Sequence, residues 1–162
     1  MGQYSTKYFG IITIDETSDF EYLDVEYQNQ EINISLFGPN TNGEKLKTCL
    51  EIIDRYIEIN AIAKKALQNN CLVNGIIPFY FEHHFNELNE EELQEVFGVK
   101  SFNEFDAKKA IDNFGYPDLL FSTEDDKLRL SVDYRVAKKY SDEILCVKMD
   151  EGMNITDFSH ES

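Results

Sequence analysis

The sequence is short of cysteine, proline and tryptophan, and these shortages exclude several classes of protein. It has no tryptophan, three prolines and three cysteines in 162 residues. Cys49, Cys71 and Cys146 are widely spaced and form no Cys-x-x-Cys pair, which argues against a disulfide framework and against a zinc knuckle. We therefore interpret each cysteine as a small, buried apolar residue in a reducing compartment.

Long apolar runs are also missing. No stretch approaches the roughly 18 apolar residues of a membrane span, and residues 1–10 lack the apolar run of a signal peptide. The sequence therefore predicts a cytoplasmic protein. Hydrophobic residues make up 42% and aromatic residues 13% of the chain. This content predicts one folded domain over residues 1–162 rather than a disordered acidic tail.

Positively charged residues are few compared with negatively charged ones. The chain has 15 Lys and Arg against 31 Asp and Glu, a formal net charge of −16, whereas solubility of a small domain requires only about 2 to 8 charges. Such a field repels nucleic acid and anionic lipid and attracts basic partners. The pairs Lys108-Lys109 and Lys138-Lys139 are isolated and form no basic stripe. The surplus acid predicts a basic protein partner, and general solubility is the alternative explanation.

The apolar pattern predicts an α+β fold. Alternation with period two predicts three strands before residue 40 and four after residue 117, with the longest alternating run over residues 128–136. Apolar residues at helical spacing predict one long helix that begins with a capping box at Thr41 and Glu44 and ends near residue 70. Two more capping boxes begin at Asn89 and Ser101. We expect a mostly antiparallel sheet of about seven strands with a central helical block packed on one face.

The segment Glu82-His83-His84 is the densest polar cluster. On a helix, His83 and Glu87 share a face, as metal ligands or an acid–base pair must. The zincin spacing of two histidines is absent, and His160 is the only other histidine. No nucleophile elbow or phosphate-binding glycine loop is present. We therefore expect no metal, cofactor or catalytic residue, and keep a small hydrolase using His83 or His84 as the least favoured alternative.

Two groups of acids are candidates for the surface that binds a basic partner. A tight interface also needs an aromatic anchor, because charges at the rim of an interface contribute mainly to steering. The first group lies on predicted helices and the second lies between two predicted strands, and the sequence leaves both open. The candidates are Glu82, Glu87, Glu91 and Glu95, or Glu124, Asp125 and Asp126, with Tyr80 and Tyr116 as anchors.

Three segments of the chain resemble a known family. They are Ala-Ile-Ala-Lys-Lys-Ala at residues 61–66, Leu-Ser-Val-Asp-Tyr at residues 130–134, and the closing residues 142–162. Together with the order of strands and helices, they resemble the bacterial domain-of-unknown-function family two thousand and four. The resemblance implies no catalytic residues.

Small acidic bacterial proteins of this kind are similar to immunity proteins of toxin–immunity pairs, including those of contact-dependent growth inhibition. This resemblance implies a non-enzymatic cytoplasmic protein that neutralises a basic toxin domain, such as a nuclease. A nuclease presents a basic groove to phosphates, and an acidic protein can fill that groove by charge mimicry. The alternative is a housekeeping or regulatory binding module that has no toxin partner.

Overall fold

The structure, a computed structural model, describes residues 1–73 and 75–162. Its described part contains eight strands, five α-helices and two short 3-10 helices at Gly38–Thr41 and Phe102–Glu104. The strands are β1 (Gly2–Thr6), β2 (Gly10–Ile14), β3 (Phe20–Tyr27), β4 (Gln30–Phe37), β5 (Asp118–Glu124), β6 (Lys127–Tyr134), β7 (Ile144–Asp150) and β8 (Ile155–Glu161). The helices are α1 (Gly43–Ile53), α2 (Tyr56–Asn70), α3 (Ile76–Glu87), α4 (Glu90–Phe97) and α5 (Ala107–Asp112).

The strands form two sheets. β1 and β2 make a separate hairpin, and the other six strands follow the order β3-β4-β5-β6-β7-β8. All neighbours in the six-stranded sheet are antiparallel except β4 and β5, which are parallel. The prediction of an α+β fold with a mostly antiparallel sheet is confirmed. The additional strand, β1, has little apolar alternation and is defined by its pairing with β2.

The six-stranded sheet has an apolar face and a polar face. Leu23, Ile34, Leu119, Val132 and Val147 are in register across five strands and are buried in the core. Residues of the helices, including Ile59, Ala63 and Phe81, belong to the same core. The alternate residues of the strands form the second face, which we call the open face.

The predicted long helix is two helices. α1 ends at Ile53 and α2 begins at Tyr56. At the break, Asp54 accepts a hydrogen bond of 2.8 Å from the backbone N–H of Lys7, in the turn of the β1–β2 hairpin. Since no proline or glycine marks this position, we attribute the break to this tertiary contact. The Tyr56 hydroxyl then donates to the Pro117 carbonyl at 2.6 Å, which fixes the start of α2 against the start of β5.

Of the three predicted capping boxes, only one is present. Asn89 and Glu92 cap α4 reciprocally. The predicted box at Thr41 is wrong, because the Thr41 hydroxyl donates to the Ser18 carbonyl at 2.6 Å. The predicted box at Ser101 is also wrong, because Asp106 caps the next α-helix. Within residues 1–73 and 75–162, no helix has the length and apolarity required to cross a membrane.

Candidate functional site

Strands β3 and β4 place an aromatic cluster beside an acidic cluster on the open face. Alternate residues of the two strands lie directly opposite each other there: Phe20 with Phe37, Tyr22 with Ser35, Asp24 with Asn33, and Glu26 with Glu31. One end of this ladder is aromatic and the other end is acidic. We call Phe20, Tyr22, Phe37, Asp24, Glu26 and Glu31 the aromatic–acidic patch. At about 3.4 Å per residue, the patch is roughly 20 Å long.

The aromatic end is exposed although its side chains are large and apolar. Phe20, Tyr22 and Phe37 are 42%, 59% and 39% exposed. The ring centroids of Phe20 and Phe37 lie 4.7 Å apart, and those of Phe20 and Tyr22 lie 6.1 Å apart. Phe37 also borders an open groove of about 410 Å³ whose lining includes Pro39 and Leu120. Contiguous exposed aromatic side chains beside a groove are typical of a protein-binding surface.

The acidic end has a charge arrangement that does not favour folding. Glu26 and Glu31 are directly opposite each other, and like charges in cross-strand pairs destabilise a sheet. β3 and β4 contain no Lys or Arg. Asp24 accepts a hydrogen bond of 3.1 Å from the Asn33 side chain, an uncharged neighbour. The negative charge of this region therefore has no cation from its own strands.

Cations occur on the other part of the open face, and two of them form ion pairs. Arg129 lies 3.6 Å from Glu124, and Lys148 lies 3.5 Å from Glu161. Across the whole open face, the strand register gives nine carboxylates against three cations. The carboxylates are those of Asp24, Glu26, Glu31, Asp118, Glu124, Asp133, Asp150, Asp157 and Glu161, and the cations are Lys127, Arg129 and Lys148.

Two of these carboxylates are partly buried. Asp118 and Asp133 lie opposite each other on β5 and β6, and burial raises the pKa of both. Asp118 accepts from the Asn33 backbone N–H at 2.7 Å, and Asp133 accepts from the Ser131 hydroxyl. Cys146, opposite Asp133 on β7, is fully buried, and burial raises the pKa of its thiol far above the ordinary value. This thiol therefore stays protonated and is a poor nucleophile.

The acids predicted on the helices are exposed. Glu82 and Glu87 lie on α3, and Glu91 and Glu95 lie on α4. Glu95 accepts from the Tyr140 hydroxyl and lies 3.1 Å from the Lys139 ammonium, and these hydrogen bonds lower the pKa of Glu95. Carboxylates thus occur on the helical side of the molecule as well as on the open face.

The acids predicted between strands form the β5–β6 turn. Asp125 and Asp126 have positive φ angles of 51° and 62°, the conformation of a tight hairpin turn that Asp tolerates. Asp126 lies 3.2 Å from Lys45 of α1, and Glu124 pairs with Arg129. Turn geometry and ion pairs explain these residues locally.

Neither of the two predicted aromatic anchors belongs to the aromatic–acidic patch. Tyr80 has no exposed surface, and burial raises the pKa of its hydroxyl, so a partner cannot reach it in this fold. Tyr116 is half-buried against Tyr27 and donates to the Gln28 side chain at 3.0 Å. The outward phase of the alternation in β3 and β4 could have identified Phe20, Tyr22 and Phe37 instead.

The three histidines of the chain converge, although His160 is distant in sequence. His83 Nε2 lies 3.5 Å from one oxygen of Glu143, and His160 Nε2 contacts the other oxygen. His84 is buried with Nδ1 2.8 Å from the Tyr80 carbonyl oxygen, and burial lowers the pKa of His84. Glu143 therefore joins helix α3 to the edge strand β8.

Two observations concern the hydrolase alternative and its histidine cluster. Among the described residues, no group of three or more His, Cys, Asp or Glu could hold a metal ion. A cavity of about 840 Å³ lies between the β3–β4 turn and α5, and Glu31, Arg135 and Lys138 are in its lining. Neither that cavity nor the groove beside Phe37 has a histidine in its described lining. The hydrolase alternative therefore gains no substrate site from these cavities.

Comparisons of the chain with protein-family models, with curated proteins and with solved structures returned no match. The likeness to the family and to immunity proteins, drawn from the three sequence segments, therefore stays a prediction. The site combines an exposed aromatic cluster with an acidic cluster on two strands that contain no Lys or Arg, on the open face of an α+β fold.

Proposed function

We propose that this protein is a non-enzymatic inhibitor that binds a basic protein domain through the aromatic–acidic patch. The partner class that best fits is a toxin domain with nuclease activity, as for an immunity protein. The exposed cluster of Phe20, Tyr22 and Phe37 is the observation that carries the proposal. Aromatic side chains supply most of the stabilising contact at protein interfaces, and charges around them set partner choice and association rate.

The acidic end of the patch supports a charged partner. Glu26 opposite Glu31 costs folding stability, and an oppositely charged residue at either position would relieve that cost. A basic partner converts the same repulsion into attraction, because it brings cations to carboxylates that form no ion pair within the described part of the chain. A phosphate-binding groove of a nuclease is a surface of that kind.

The experiment that tests this proposal is co-expression with the toxic product of a neighbouring gene, with growth and binding as readouts. The wild-type chain should restore growth, and the double variant Tyr22→Ala/Phe37→Ala should lose most of the protection and bind at least tenfold more weakly. Phe102→Ala is the matched control, because Phe102 is a 54% exposed phenylalanine outside the patch. Circular dichroism and thermal unfolding should show that all variants fold.

Two charge-reversal sets decide which acidic surface binds. Asp24→Lys/Glu26→Lys/Glu31→Lys changes the patch, and Glu82→Lys/Glu87→Lys/Glu91→Lys changes the helical acids by the same total charge. We expect only the first set to slow association. The association rate of the wild-type chain should fall as the salt concentration rises, because salt screens the attraction. Loss of protection with the second set alone would reject the patch as the interface. Binding of a partner without any protection from toxicity would favour the housekeeping or regulatory alternative.

A further inference from the structure

A cleft separates the hairpin from the edge of the six-stranded sheet. Its volume is about 460 Å³, and residues 11–13 of β2 and 22–26 of β3 are in its lining. These residues are consecutive, whereas the lining of a sheet face would consist of alternate residues. The cleft is therefore bordered by the main chain of both strands. In the described part of the chain β3 pairs only with β4, and β2 pairs only with β1.

Two hydrogen bonds identify which residues of β3 direct their main chain into this cleft. The Gly38 N–H donates to the Asp19 carbonyl at 2.8 Å, so the odd-numbered residues of β3 continue the hydrogen-bonded pairs with β4. The Asn33 N–H instead donates to Asp118 on the β5 side. The opposite residue, Asp24, therefore belongs to a non-hydrogen-bonded pair. By alternation, Tyr22, Asp24 and Glu26 direct their N–H and C=O groups to the free edge.

The edge amides and the aromatic–acidic patch therefore come from the same residues. Tyr22, Asp24 and Glu26 present side chains on the open face and main-chain groups at the edge. A strand added at this edge would place alternate side chains beside those of the patch. A second copy of the chain is a poor occupant, since pairing of β3 with itself would oppose Asp24 and Glu26 to the same acids. The opposite edge strand, β8, has an irregular register with β7.

We infer that the free edge of β3 accepts an extended basic segment as an added antiparallel strand. This inference deepens the proposed function and depends on it for the biological partner, because the segment would belong to the domain that the protein inhibits. Main-chain hydrogen bonds to Tyr22, Asp24 and Glu26 supply the pairing, and lysine or arginine at alternate positions of the added strand faces the carboxylates. The acids of β3 thus exclude copies of this chain and select a basic strand.

A synthetic peptide tests this inference without the toxin. The probe is a blocked peptide of alternating lysine and valine, matched to the eight residues of β3. Binding should protect the amides of residues 22, 24 and 26 from hydrogen exchange, and Asp24→Lys/Glu26→Lys should weaken it at least tenfold. A peptide in which glutamate replaces lysine should not bind.

N-methylated peptides provide matched controls with unchanged side-chain charge. In an antiparallel added strand, residues opposite Asp24 share its face of the sheet and its hydrogen-bonding direction. N-methylation of the lysine residues should therefore abolish binding, and N-methylation of the valine residues should leave it intact. The reverse result would indicate a parallel strand at the same edge and would overturn the antiparallel pairing proposed for the added strand. Equal binding of both methylated peptides, absence of protection in β3, or no binding of the parent peptide would overturn the inference, whatever the growth assay gives.

Discussion

At the scale of single residues, the open face contains polar groups whose charge opposes folding. Asp133 is the clearest case, because burial raises its pKa above the ordinary value of an aspartate. A group whose folded-state pKa is raised favours folding below its unfolded pKa and loses that contribution as pH rises through the folded value. At neutral pH the ionised form of Asp133 is therefore a cost to the fold.

We predict that Asp133→Asn raises the midpoint of thermal unfolding at pH 7. The amide removes the buried charge and can still accept a hydrogen bond from the Ser131 hydroxyl. The difference from wild type should shrink as pH falls through the folded pKa of Asp133 and should level off below the unfolded pKa of aspartate, where the group is neutral in both states. Asp125→Asn in the exposed β5–β6 turn is the control and should change the midpoint little. A lower midpoint for Asp133→Asn at pH 7 would contradict this account.

A substitution at Tyr134 should lower the stability of the protein, in contrast to the substitution at Asp133. The buried hydroxyl of Tyr134 donates to the Asn60 side-chain oxygen at 2.6 Å. Tyr134→Phe leaves that buried oxygen without its donor, which should lower the free energy of unfolding by about 1 to 3 kcal/mol. Urea or thermal unfolding measures the loss. Tyr22→Phe is the matched control, because Tyr22 is 59% exposed. Equal losses for the two variants would mean that the buried hydrogen bond contributes nothing.

At the scale of secondary-structure elements, the capping box of α4 should make a measurable contribution to the free energy of unfolding. The Asn89 side chain accepts from the Glu92 N–H, and the Glu92 carboxylate accepts from the Asn89 N–H, both at 2.9 Å. Asn89→Ala should destabilise the protein by about 1 kcal/mol. Asn86→Ala, at an exposed position of α3, should have a much smaller effect in the same unfolding experiment. Equal effects would show that the box does not stabilise α4.

The elements that sequence predicts best are those defined by local chemistry. Two such predictions are confirmed: the strand from the alternation of Ile32, Ile34 and Leu36, and the capping box at Asn89. Both depend only on residues that are close in sequence. The break at Asp54 could not be predicted, because its cause is a hydrogen bond from Lys7, 47 positions away. Thr41 carries a capping pattern but bonds Ser18 instead. Contacts between distant segments thus override local signals.

The same distinction applies to the candidate site. Phe20, Tyr22 and Phe37 are predictable as outward-facing residues from the alternation alone. Their proximity requires the register of β3 on β4, which pairs Phe20 with Phe37. The burial of Tyr80 could not be predicted, because the pattern of α3 does not reveal that Glu143 and His160 lie against the same helix face.

At the scale of the whole molecule, the net charge of −16 should make the stability of the fold depend on salt concentration. Self-repulsion destabilises a compact, highly charged chain, and salt screens it. The unfolding midpoint at pH 7 should rise between about 0.01 M and about 1 M NaCl, as the Debye length falls from about 30 Å to about 3 Å. Closer to the isoelectric point of about 4.4, the rise should be smaller. A midpoint that is independent of salt at pH 7 would show that repulsion is negligible.

The parallel pair of strands, β4 and β5, has a consequence for biosynthesis. β4 and β5 are in register at three positions, from Ile34 with Leu119 to Leu36 with Phe121, whereas β3 and β4 match at eight. This narrow seam joins segments separated by the entire helical block, so its closure entropy is large compared with that of the flanking hairpins. A nascent chain can therefore not form this seam until residue 121 has left the ribosome. Until then β4 of the β3–β4 hairpin has no β5 to pair with.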